Sequence, residues 1–595
     1  MVISIHHLGF ALFCQIAYDH SMKILSSELK TLFQQAVQAA FPELSLEDLM
    51  KAVVVEEPRV AEHGDFATGL AMKLTKQVGK APQTIAEAVM AAFPEDYRVE
   101  KLEFAAPGFI NIHLSTAFLQ ETVKQLESGF SIERGAPGNV ARGVIVEFSS
   151  TNAAKHMGVH HIITTILGAA IANLFEFMGE SVTRINHLGD WGTHFGKIIY
   201  AIEQWGDRTE IERHPNDEFT RLYVKFHEEA EKNPALEDEA RKIFKALETG
   251  DEIRLALWKW VVHESLMDLE KIFKRLGVSF DHITGESFYL KMADEVLSDG
   301  IQKKVFMEGE GGALIAPIEG SEVPALVRKA DGTTLYLTRD LATVRYRVET
   351  WHPDLILYVV DHAQSLHFQQ NFAVAHKLGY DEDTQLEHIS FGRMNFAGGA
   401  MSSRKGNVIR LNDMLDEAAK RAGELAASKS VDFPREELYS MAEILGVSSV
   451  KYAVLSQDRN KDILFDWDKI ITLEGNSAPY LLYSYARAVN ILHKAGSVDL
   501  GGLPQFTEKE EIALAQKLVK FPEAFERALS DRKPHVISTA LYELCQEFNR
   551  FYGNVHVLGA EKPAQLRTRL GLVQSFLFEV KAALSILGIP VLERM

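Results

Sequence analysis

The order of strand, loop, helix and strand between residues 143 and 187 constrains the fold of this chain most strongly. Residues 143–148 read Gly-Val-Ile-Val-Glu-Phe, an apolar β-branched run typical of a buried parallel strand. Helical spacing follows over 162–178, and a second strand is predicted at 182–187. This is the length and order of a βαβ unit. A ligand of such a sheet lies beyond the carboxyl ends of the strands, which here means the loop 149–161.

The rest of the chain adds further domains to this unit. With 595 residues the chain is too long for one core, and about three or four domains are expected. Charged helical segments indicate an insertion over about 200–330, after which a strand is predicted at 355–360. From about 410 onward the pattern is almost wholly helical, and 466–595 indicates a helix bundle.

Composition limits the functional classes. The net charge of -19 is unfavourable for a nucleic-acid-binding chain as a whole, although it leaves room for one local basic face. Cys14 and Cys545 are far apart, which favours a reducing compartment with neither a disulfide framework nor a cysteine-based zinc site. No apolar run reaches the roughly 18 residues that a membrane span needs.

The first 21 residues are interpreted as an extension. Residues 8–17 are apolar and could form the core of a signal peptide, but no Lys or Arg precedes them and no clear cleavage site follows. Met22 then begins an amphipathic segment. A disordered extension or a start-codon artefact is therefore expected, with a targeting signal as the alternative.

Three clusters carry residue types suited to chemistry. The loop over 147–161 contains Lys and His before a helix N-terminus, where backbone amides can bind phosphate. Residues 398–407 combine glycines, hydroxyls and two cations, which suits a mobile anion-binding loop. Tyr336 and Asp340 share one helical face, and Gln364 follows later. Taken singly, each cluster is also compatible with a polar loop, a solvated turn or a surface pair.

Taken together and in this order, the clusters resemble class I aminoacyl-tRNA synthetases, and among them the arginyl enzymes. Residues 147–155 resemble the family's strand-ending sequence, with Thr151 where proline is usual. Residues 186–196 resemble its Gly-Asp-Trp-Gly-Thr-Gln-Phe-Gly segment, with His194 in place of glutamine. Further similar segments are 63–68, 107–111, 276–281, 285–289, 390–392, 476–480, 485–487 and 593–595.

The resemblance implies an α/β fold: a Rossmann-like parallel-sheet catalytic domain with insertions, a small N-terminal α+β domain and a C-terminal all-α anticodon-binding bundle. The expected boundaries are 1–21 for the extension, 22–130 for the tRNA-contacting domain, 140–395 for the catalytic domain with its insertion at about 200–330, 396–465 for the signature loop and stem-contact helices, and 466–595 for the anticodon-binding domain. It also implies L-arginine, ATP with Mg²⁺ and tRNA(Arg) as reactants, a cytoplasmic location, no membrane association and a monomer.

The resemblance also assigns roles by position. Carboxylates suit a planar guanidinium, whose five donors favour bidentate or flanking acceptors. The implied arginine-binding residues are Glu147, Asn152, Tyr336, Asp340 and Gln364; the implied catalytic residues are Lys155, His161, Ser402 and Lys405; the implied ATP-binding residues are Gly158, His160, Met401 and Ser403; no metal-ligating residue is implied.

Two signatures depart from the family pattern. Gly158-Val159-His160-His161 stands where His-Val-Gly-His is expected, so the first histidine and the glycine have exchanged places. A side chain at His160 is expected to crowd the adenine and impair ATP chemistry, because glycine permits the closest approach. Residues 400–403 stand where Lys-Met-Ser-Lys is expected, and Lys155 is positioned to substitute for the missing lysine.

Two alternatives to an active arginyl enzyme remain at this point. One is a catalytically impaired paralogue that binds tRNA without efficient ATP chemistry, which the altered signature favours and the retained arginine-pocket residues oppose. The other is a different class I enzyme, such as the cysteinyl or glutaminyl synthetase. The cysteinyl enzyme is disfavoured by the absence of cysteine ligands for zinc.

Overall fold

The computed structural model describes most of the chain, in two compact units. The described residues are 21–22, 24–58, 60–129, 131–132, 141–320, 323–330, 336–397, 410–429, 433–498 and 500–595. One unit, called the sheet unit here, spans 140–479 and 586–589. The other, called the bundle unit, comprises the chain up to 139 together with 480–585 and 590–595.

The strands and helices of the described residues have the following bounds. The strands are β1 Ser21–Met22, β2 Phe66–Thr68, β3 Val99–Ala105, β4 Phe109–Leu114, β5 Ser131–Ile132, β6 Gly143–Glu147, β7 Ser181–Leu188, β8 His282–Gly285, β9 Met307–Glu308, β10 Leu314–Ala316, β11 Ala325–Arg328, β12 Leu355–Asp361, β13 Gln385–Phe391, β14 Met394–Phe396 and β15 Ile463–Phe465. The helices are α1 Leu25–Ala40, α2 Leu46–Ala52, α3 Leu70–Val78, α4 Pro82–Ala92, α5 Thr116–Leu126, α6 His160–Phe177, α7 Thr193–Trp205, α8 Arg208–Arg213, α9 Pro215–Lys232, α10 Ala235–Glu248, α11 Glu252–Leu276, α12 Leu290–Gln302, α13 Tyr336–Trp351, α14 Ser365–Leu378, α15 Leu411–Lys429, α16 Arg435–Leu455, α17 Trp467–Ile470, α18 Ala478–Ala495, α19 Lys509–Lys520, α20 Pro522–Asp531, α21 His535–Asn554 and α22 Pro563–Ile586.

A five-stranded parallel sheet organises the sheet unit. Its strand order is β13-β12-β6-β7-β8, so the chain first builds outward from β6 in one direction and later returns to β6 from the other side. This order is that of a Rossmann-like sheet, and it creates a topological switch point between β6 and β12. The predicted fold class and the strands predicted at 143–148, 182–187 and 355–360 are confirmed. A ligand is therefore expected where β6 and β12 end, at Glu147 and Asp361.

Helix α6 follows the loop after β6 and is buried on nearly every side. Such all-round burial is typical of a helix packed inside a large domain. Gly168 in this helix lies against Phe148, and a Cβ added to it would stand 2.2 Å from the Phe148 Cβ. The glycine thus lets α6 approach the end of β6, which fixes the loop between them.

The insertion differs from its predicted boundaries. Helices α7–α11 leave the sheet after β7, but β8 returns to it and pairs with β7 from Ile185–His282 to Leu188–Gly285. The expected insertion over about 200–330 therefore contains a strand of the central sheet. Two of the four β8 residues are exposed, so the segment lacks the apolar run that identified the other strands.

The bundle unit joins the N-terminal and C-terminal segments around one core. Strands β2, β4 and β3 form an antiparallel sheet, and Val519 of α19 belongs to the same buried cluster as Phe66 of β2. Ser26 donates its backbone N–H to Glu523 at 2.9 Å, which connects α1 to α20. The two segments expected as separate domains at 22–130 and 466–595 are thus packed together.

The ends of the N-terminal segment also pair. Ser21, expected to close the disordered extension, instead begins β1 and pairs in parallel with Ser131 of β5. The other residues of the expected extension, 1–20, lie outside the described residues. Among the described residues no helix is long and apolar enough to cross a membrane.

The close packing of Gly168 gives a testable prediction for the sheet unit. The Gly168→Ala variant should lower its free energy of unfolding by about 1–3 kcal/mol, because the added methyl overpacks the contact with Phe148. Gly423→Ala in α15 is the matched control, since its Cβ would approach only the Ala442 side chain, at 3.3 Å. All six tryptophans lie between residues 191 and 467, so tryptophan fluorescence during urea unfolding reports this unit. Equal stability of the two variants would contradict the packing argument.

Candidate active site

The loop between β6 and α6 is held in an unusual backbone conformation. Ser149, Ser150 and Ala154 have φ values of 74°, 45° and 60°, which non-glycine residues rarely adopt. Their hydrogen bonds explain how the loop is held: Ser149 donates its N–H to Thr164 Oγ1 at 3.1 Å, and Ala154 donates its N–H to Ser265 Oγ at 2.8 Å. Such strain persists where surrounding structure enforces it, and it concentrates at functional sites.

Glu147, the last residue of β6, forms a buried ion pair with Arg347 of α13. Arg347 Nη2 lies 2.5 Å from Glu147 Oε2, and the side chain of Arg347 is completely buried. The guanidinium also lies 5.5 Å from the ring centroid of Tyr358 in β12. Glu147, expected to bind a substrate guanidinium, is therefore already in contact with a guanidinium of the chain itself.

Asp340 lies in the same electrostatic cluster as Glu147. Burial raises the pKa of Tyr358, Arg347 lowers it, and both Glu147 and Asp340 raise it. The two carboxylates therefore act on one phenol beside the switch point of the sheet. Glu147 and Asp340 therefore lie in one part of the folded chain, as a shared guanidinium site would need.

Asp340 has its own partner on the neighbouring helix. Its Oδ2 lies 2.6 Å from His367 Nε2 of α14, and the two side chains are 31% and 26% exposed. The hydrogen bond to Asp340 raises the pKa of His367 above its usual value, more than burial lowers it. The hydrogen bond thus favours the protonated imidazole, and both side chains are still partly open to solvent.

A third carboxylate of the cluster comes from the segment after β8. Glu286 lies 3.2 Å from Arg339 Nη1, yet burial raises the pKa of Glu286 to about 7, with Asp340 and Asp190 adding to the rise. Asp190 accepts hydrogen bonds from the Ser287 backbone N–H at 2.9 Å and its hydroxyl at 2.6 Å. The two segments resembling family motifs at 186–196 and 285–289 therefore meet beside the acidic pocket.

A cavity of about 320 Å³ lies at the carboxyl edge of the same sheet. It is lined by Val159, His160, Ile163, Asp361, Phe391, Gly392, Arg393, Met394 and Phe396. These residues come from the start of α6 and from the carboxyl ends of β12 and β13, the edge that the topology marks for a ligand. The volume lies at the lower end of the roughly 300–1,000 Å³ of ligand pockets. His160 forms part of the wall of this cavity, and the expected crowding of an adenine by its side chain stays a prediction.

The altered signature Gly158–His161 has a defined geometry. Gly158 donates its backbone N–H to His161 Nδ1 at 3.2 Å, and the His160 and His161 rings lie 3.9 Å apart. Burial, together with the neighbouring His160, lowers the pKa of His161 to about 4, although the hydrogen bond from Gly158 acts in the opposite direction. His161 is therefore a neutral imidazole at physiological pH, able to donate a hydrogen bond through Nε2.

The remaining predicted residues lie at the edges of this site. Asn152 is exposed and forms an isolated bridge with Gly189, whose added Cβ would meet Asn152 Oδ1 at 2.3 Å. Lys155 is exposed, with its Nζ 5.8 Å from the Tyr223 ring centroid. Tyr336 is 64% exposed and lies against Arg339 rather than in the buried cluster. Gln364 is exposed at the N-terminus of α14.

The second signature lies outside the described residues, which omit 398–409. The predictions for Met401, Ser402, Ser403 and Lys405 therefore stay predictions. The described residues on either side are informative: Phe396 lines the cavity, and Arg410 forms a bridge with Gly158.

Sequence reasoning missed three residues of the acidic cluster. Arg347, His367 and the role of Glu286 were not predicted. Arg347 is seven residues after Asp340 on one helical face, and His367 is three residues after Gln364. These spacings place them beside predicted site residues, but a lone Arg or His at such a spacing carries no specific signal.

A second candidate surface lies on the bundle unit. The guanidinium of Arg487 in α18 lies 4.8 Å from the ring centroids of both Tyr483 and Tyr552, which are 38% and 43% exposed. Arg487 also donates a hydrogen bond to Asn549 Oδ1. Exposed rings beside a guanidinium are suited to stacking on unpaired nucleobases.

Comparison with known proteins connects these observations. Residues 133–467 match the family model described as tRNA synthetases class I (R), catalytic domain; residues 481–595 match the DALR anticodon binding domain; residues 27–114 match the arginyl tRNA synthetase N terminal domain. Since the first of these covers the sheet unit, the chain is a class I aminoacyl-tRNA synthetase. All three family models together narrow the class of protein to one family: the chain belongs to the arginyl-tRNA synthetase family.

Individual relatives agree with this assignment. The arginine–tRNA ligase of Fusobacterium nucleatum is 40% identical, over 96% of this chain and 100% of the relative. That of Alkaliphilus metalliredigens is 37% identical, over 91% and 95%. The solved arginyl-tRNA synthetase of Plasmodium falciparum superposes with a TM-score of 0.84 at 26% identity, over 97% and 100%. That of Thermus thermophilus gives 0.79 at 25% identity, over 96% and 100%.

These comparisons decide between the alternatives. A different class I enzyme, cysteinyl or glutaminyl, is excluded because the matched domains are those of the arginyl family. The alternative of an impaired paralogue that binds tRNA alone receives no support from them.

The buried ion pair gives the second prediction. Arg347→Met should destabilise the sheet unit by about 3–5 kcal/mol, because it leaves Glu147 as an unpaired buried charge. Adding Glu147→Gln should restore part of the loss, since the orphaned charge is then removed. Tryptophan fluorescence in urea again measures the effect. Arg345→Met is the control, because its ion pair with Glu349 is on the surface and should contribute less than about 1 kcal/mol. Additive effects of the two substitutions would contradict a direct coupling.

Proposed function

We propose that the chain ligates L-arginine to tRNA(Arg) in two steps, with ATP converted to AMP and pyrophosphate. The arginine carboxylate attacks the α-phosphate to give arginyl-adenylate, and a terminal ribose hydroxyl of the tRNA then takes the arginyl group. The observation that carries this proposal is the acidic cluster of Glu147, Asp340 and Glu286, in a sheet whose carboxyl edge also forms an open cavity.

Recognition of arginine rests on the shape and charge of the cluster. A guanidinium presents five donors in a plane, and carboxylates approaching from different elements can accept several of them. Lysine would leave acceptors of the same cluster unpaired, because its ammonium group is a compact charge with three donors. We assign Asp340 the direct contact with the substrate guanidinium, with Glu147 behind it and Tyr336, Asn152 and Gln364 at the exposed rim.

ATP is proposed to occupy the cavity. The adenine and ribose are expected between the start of α6 and the ends of β12 and β13. His161, neutral at physiological pH, can donate a hydrogen bond to phosphate, and the exposed Lys155 supplies positive charge nearby. Gly158 and His160 form the wall on the α6 side. Mg²⁺ is expected to bind through the phosphates, as it commonly does in nucleotide sites.

The residues of the second signature have proposed roles from sequence alone. Ser402 and Lys405 are assigned to catalysis, and Met401 and Ser403 to ATP binding. Catalysis in such a site is mostly positioning and charge stabilisation, with little covalent chemistry by the protein. The chain is proposed to act as a cytoplasmic monomer, where arginine, ATP and tRNA are available together.

An exchange assay tests the reaction. Labelled pyrophosphate should be incorporated into ATP when tRNA(Arg), ATP, Mg²⁺ and L-arginine are all present. L-Lysine and L-citrulline should give at least about a hundredfold lower kcat/KM, because neither offers a planar cation. Exchange with another amino acid, or none with arginine, would refute the proposed reaction. Absence of ATP turnover with intact tRNA binding would instead favour the impaired paralogue.

The surface around Arg487 is proposed to contact the tRNA anticodon. The Arg487→Ala variant should weaken tRNA binding by at least tenfold, since one stacked base is worth about 1–3 kcal/mol. Arginine and ATP affinities should not change. Arg208→Ala is the matched control: its guanidinium lies over the Trp260 ring at 4.9 Å, in the helical insertion. Filter binding of labelled tRNA measures both variants. An equal loss in both would show a general charge effect rather than a contact at this surface.

A further inference from the structure

Each carboxylate of the arginine pocket already has a cation of the chain beside it. Glu147 pairs with Arg347, Glu286 lies near Arg339, and Asp340 bonds to His367. A second positive charge brought to Asp340 must therefore share the carboxylate with a resident cation. Like charges a few ångströms apart are costly in a partly buried site.

Only one of these resident cations can lose its charge. The two arginines stay protonated at any pH a folded protein tolerates. His367 can release a proton near neutral pH, because it is an imidazole. Its ring is about a quarter exposed, so a proton can pass to solvent, whereas Arg347 is sealed from it.

We propose that arginine binds at Asp340 by driving one proton off His367, so that arginine affinity is coupled to pH through this residue. This inference rests on the proposed function and adds a linked proton to it. The imidazolium gives its Nδ1 proton to water, and its Nε2–H continues to donate to Asp340 Oδ2. The other carboxylate oxygen, Oδ1, is left to accept from the substrate. His367 is thus a positioning residue: it orients Asp340, and it loses its own positive charge when the guanidinium binds.

The charged groups around His367 determine the sign of the effect. Asp340 of α13 is the group that acts on it directly, and it favours the protonated form. Glu286 lies within the field of Asp340, and its pKa of about 7 makes it a second source of protons when a guanidinium arrives. Affinity for arginine should therefore rise with pH, by about tenfold per unit for one linked proton, and level off above the pKa of free His367.

Calorimetry with the full chain tests the inference. L-Arginine is titrated at pH 6.5 in two buffers of different ionisation enthalpy, which gives the number of protons released on binding. The His367→Gln variant keeps an amide donor near the Nε2 position but cannot titrate. The wild type should release about one proton more than His367→Gln. His367→Leu, which lacks the donor, should bind arginine less tightly than His367→Gln at every pH.

A Glu286→Gln variant separates the two proton sources. It should still release the proton assigned to His367. Equal proton release by the wild type and His367→Gln overturns the inference, and loss of all release in Glu286→Gln assigns the proton to Glu286 instead. Absence of arginine binding to the wild type at any pH overturns the proposed function itself. Tryptophan fluorescence verifies folding of each variant.

Discussion

The ion pair between Glu147 and Arg347 is the interaction on which the acidic cluster, our proposed arginine pocket, depends. Glu147 ends the central strand of the sheet, at the switch point where a ligand is expected, and a buried carboxylate there must have a cation. Arg347 supplies it from α13, so the helix that contains Asp340 is fixed against the end of β6. The tyrosine of β12 then completes the packing around the guanidinium. One buried pair thus sets the relative position of two strands and the helix that contains Asp340.

The fold could be predicted from sequence where local patterns decide it. Strands β6 and β12 are recognisable because they are apolar and rich in β-branched residues, and α6 because it is apolar at helical spacing. Strand β8 could not be recognised, since four residues with an exposed half join the sheet only through pairing with β7. The joint core of the bundle unit could not be predicted from local sequence patterns either, because Phe66 and Val519 come together only in the folded chain.

Of the acidic cluster, Glu147 and Asp340 could be predicted from sequence, whereas Glu286 and the cationic partners could not. Glu147 and Asp340 were identified by their place in segments that resemble the family. Arg347 and His367 were not, because the local sequence around a residue does not indicate which residue of another helix or strand it will pair with. The altered signature shows a related limit. The family pattern has glycine at the position of His160, whereas this chain places there a side chain whose ring lies 3.9 Å from that of His161, tilted against it, at the wall of the cavity. The direction of a side chain depends on its surroundings and cannot be inferred from residue type.

The contact between Asp190 and Ser287 has a consequence for how the chain tolerates change. Nearly a hundred residues separate them, including all the helices from α7 to α11, and the two ends of this excursion are held by neighbouring strands and a pair of hydrogen bonds. Gly285 permits the close approach, since an added Cβ would stand 2.2 Å from the Asp190 carboxylate. Both ends of the segment that contains these helices are therefore fixed at the edge of the central sheet. The length and surface of this segment can diverge among relatives while the geometry of the pocket at its base is preserved.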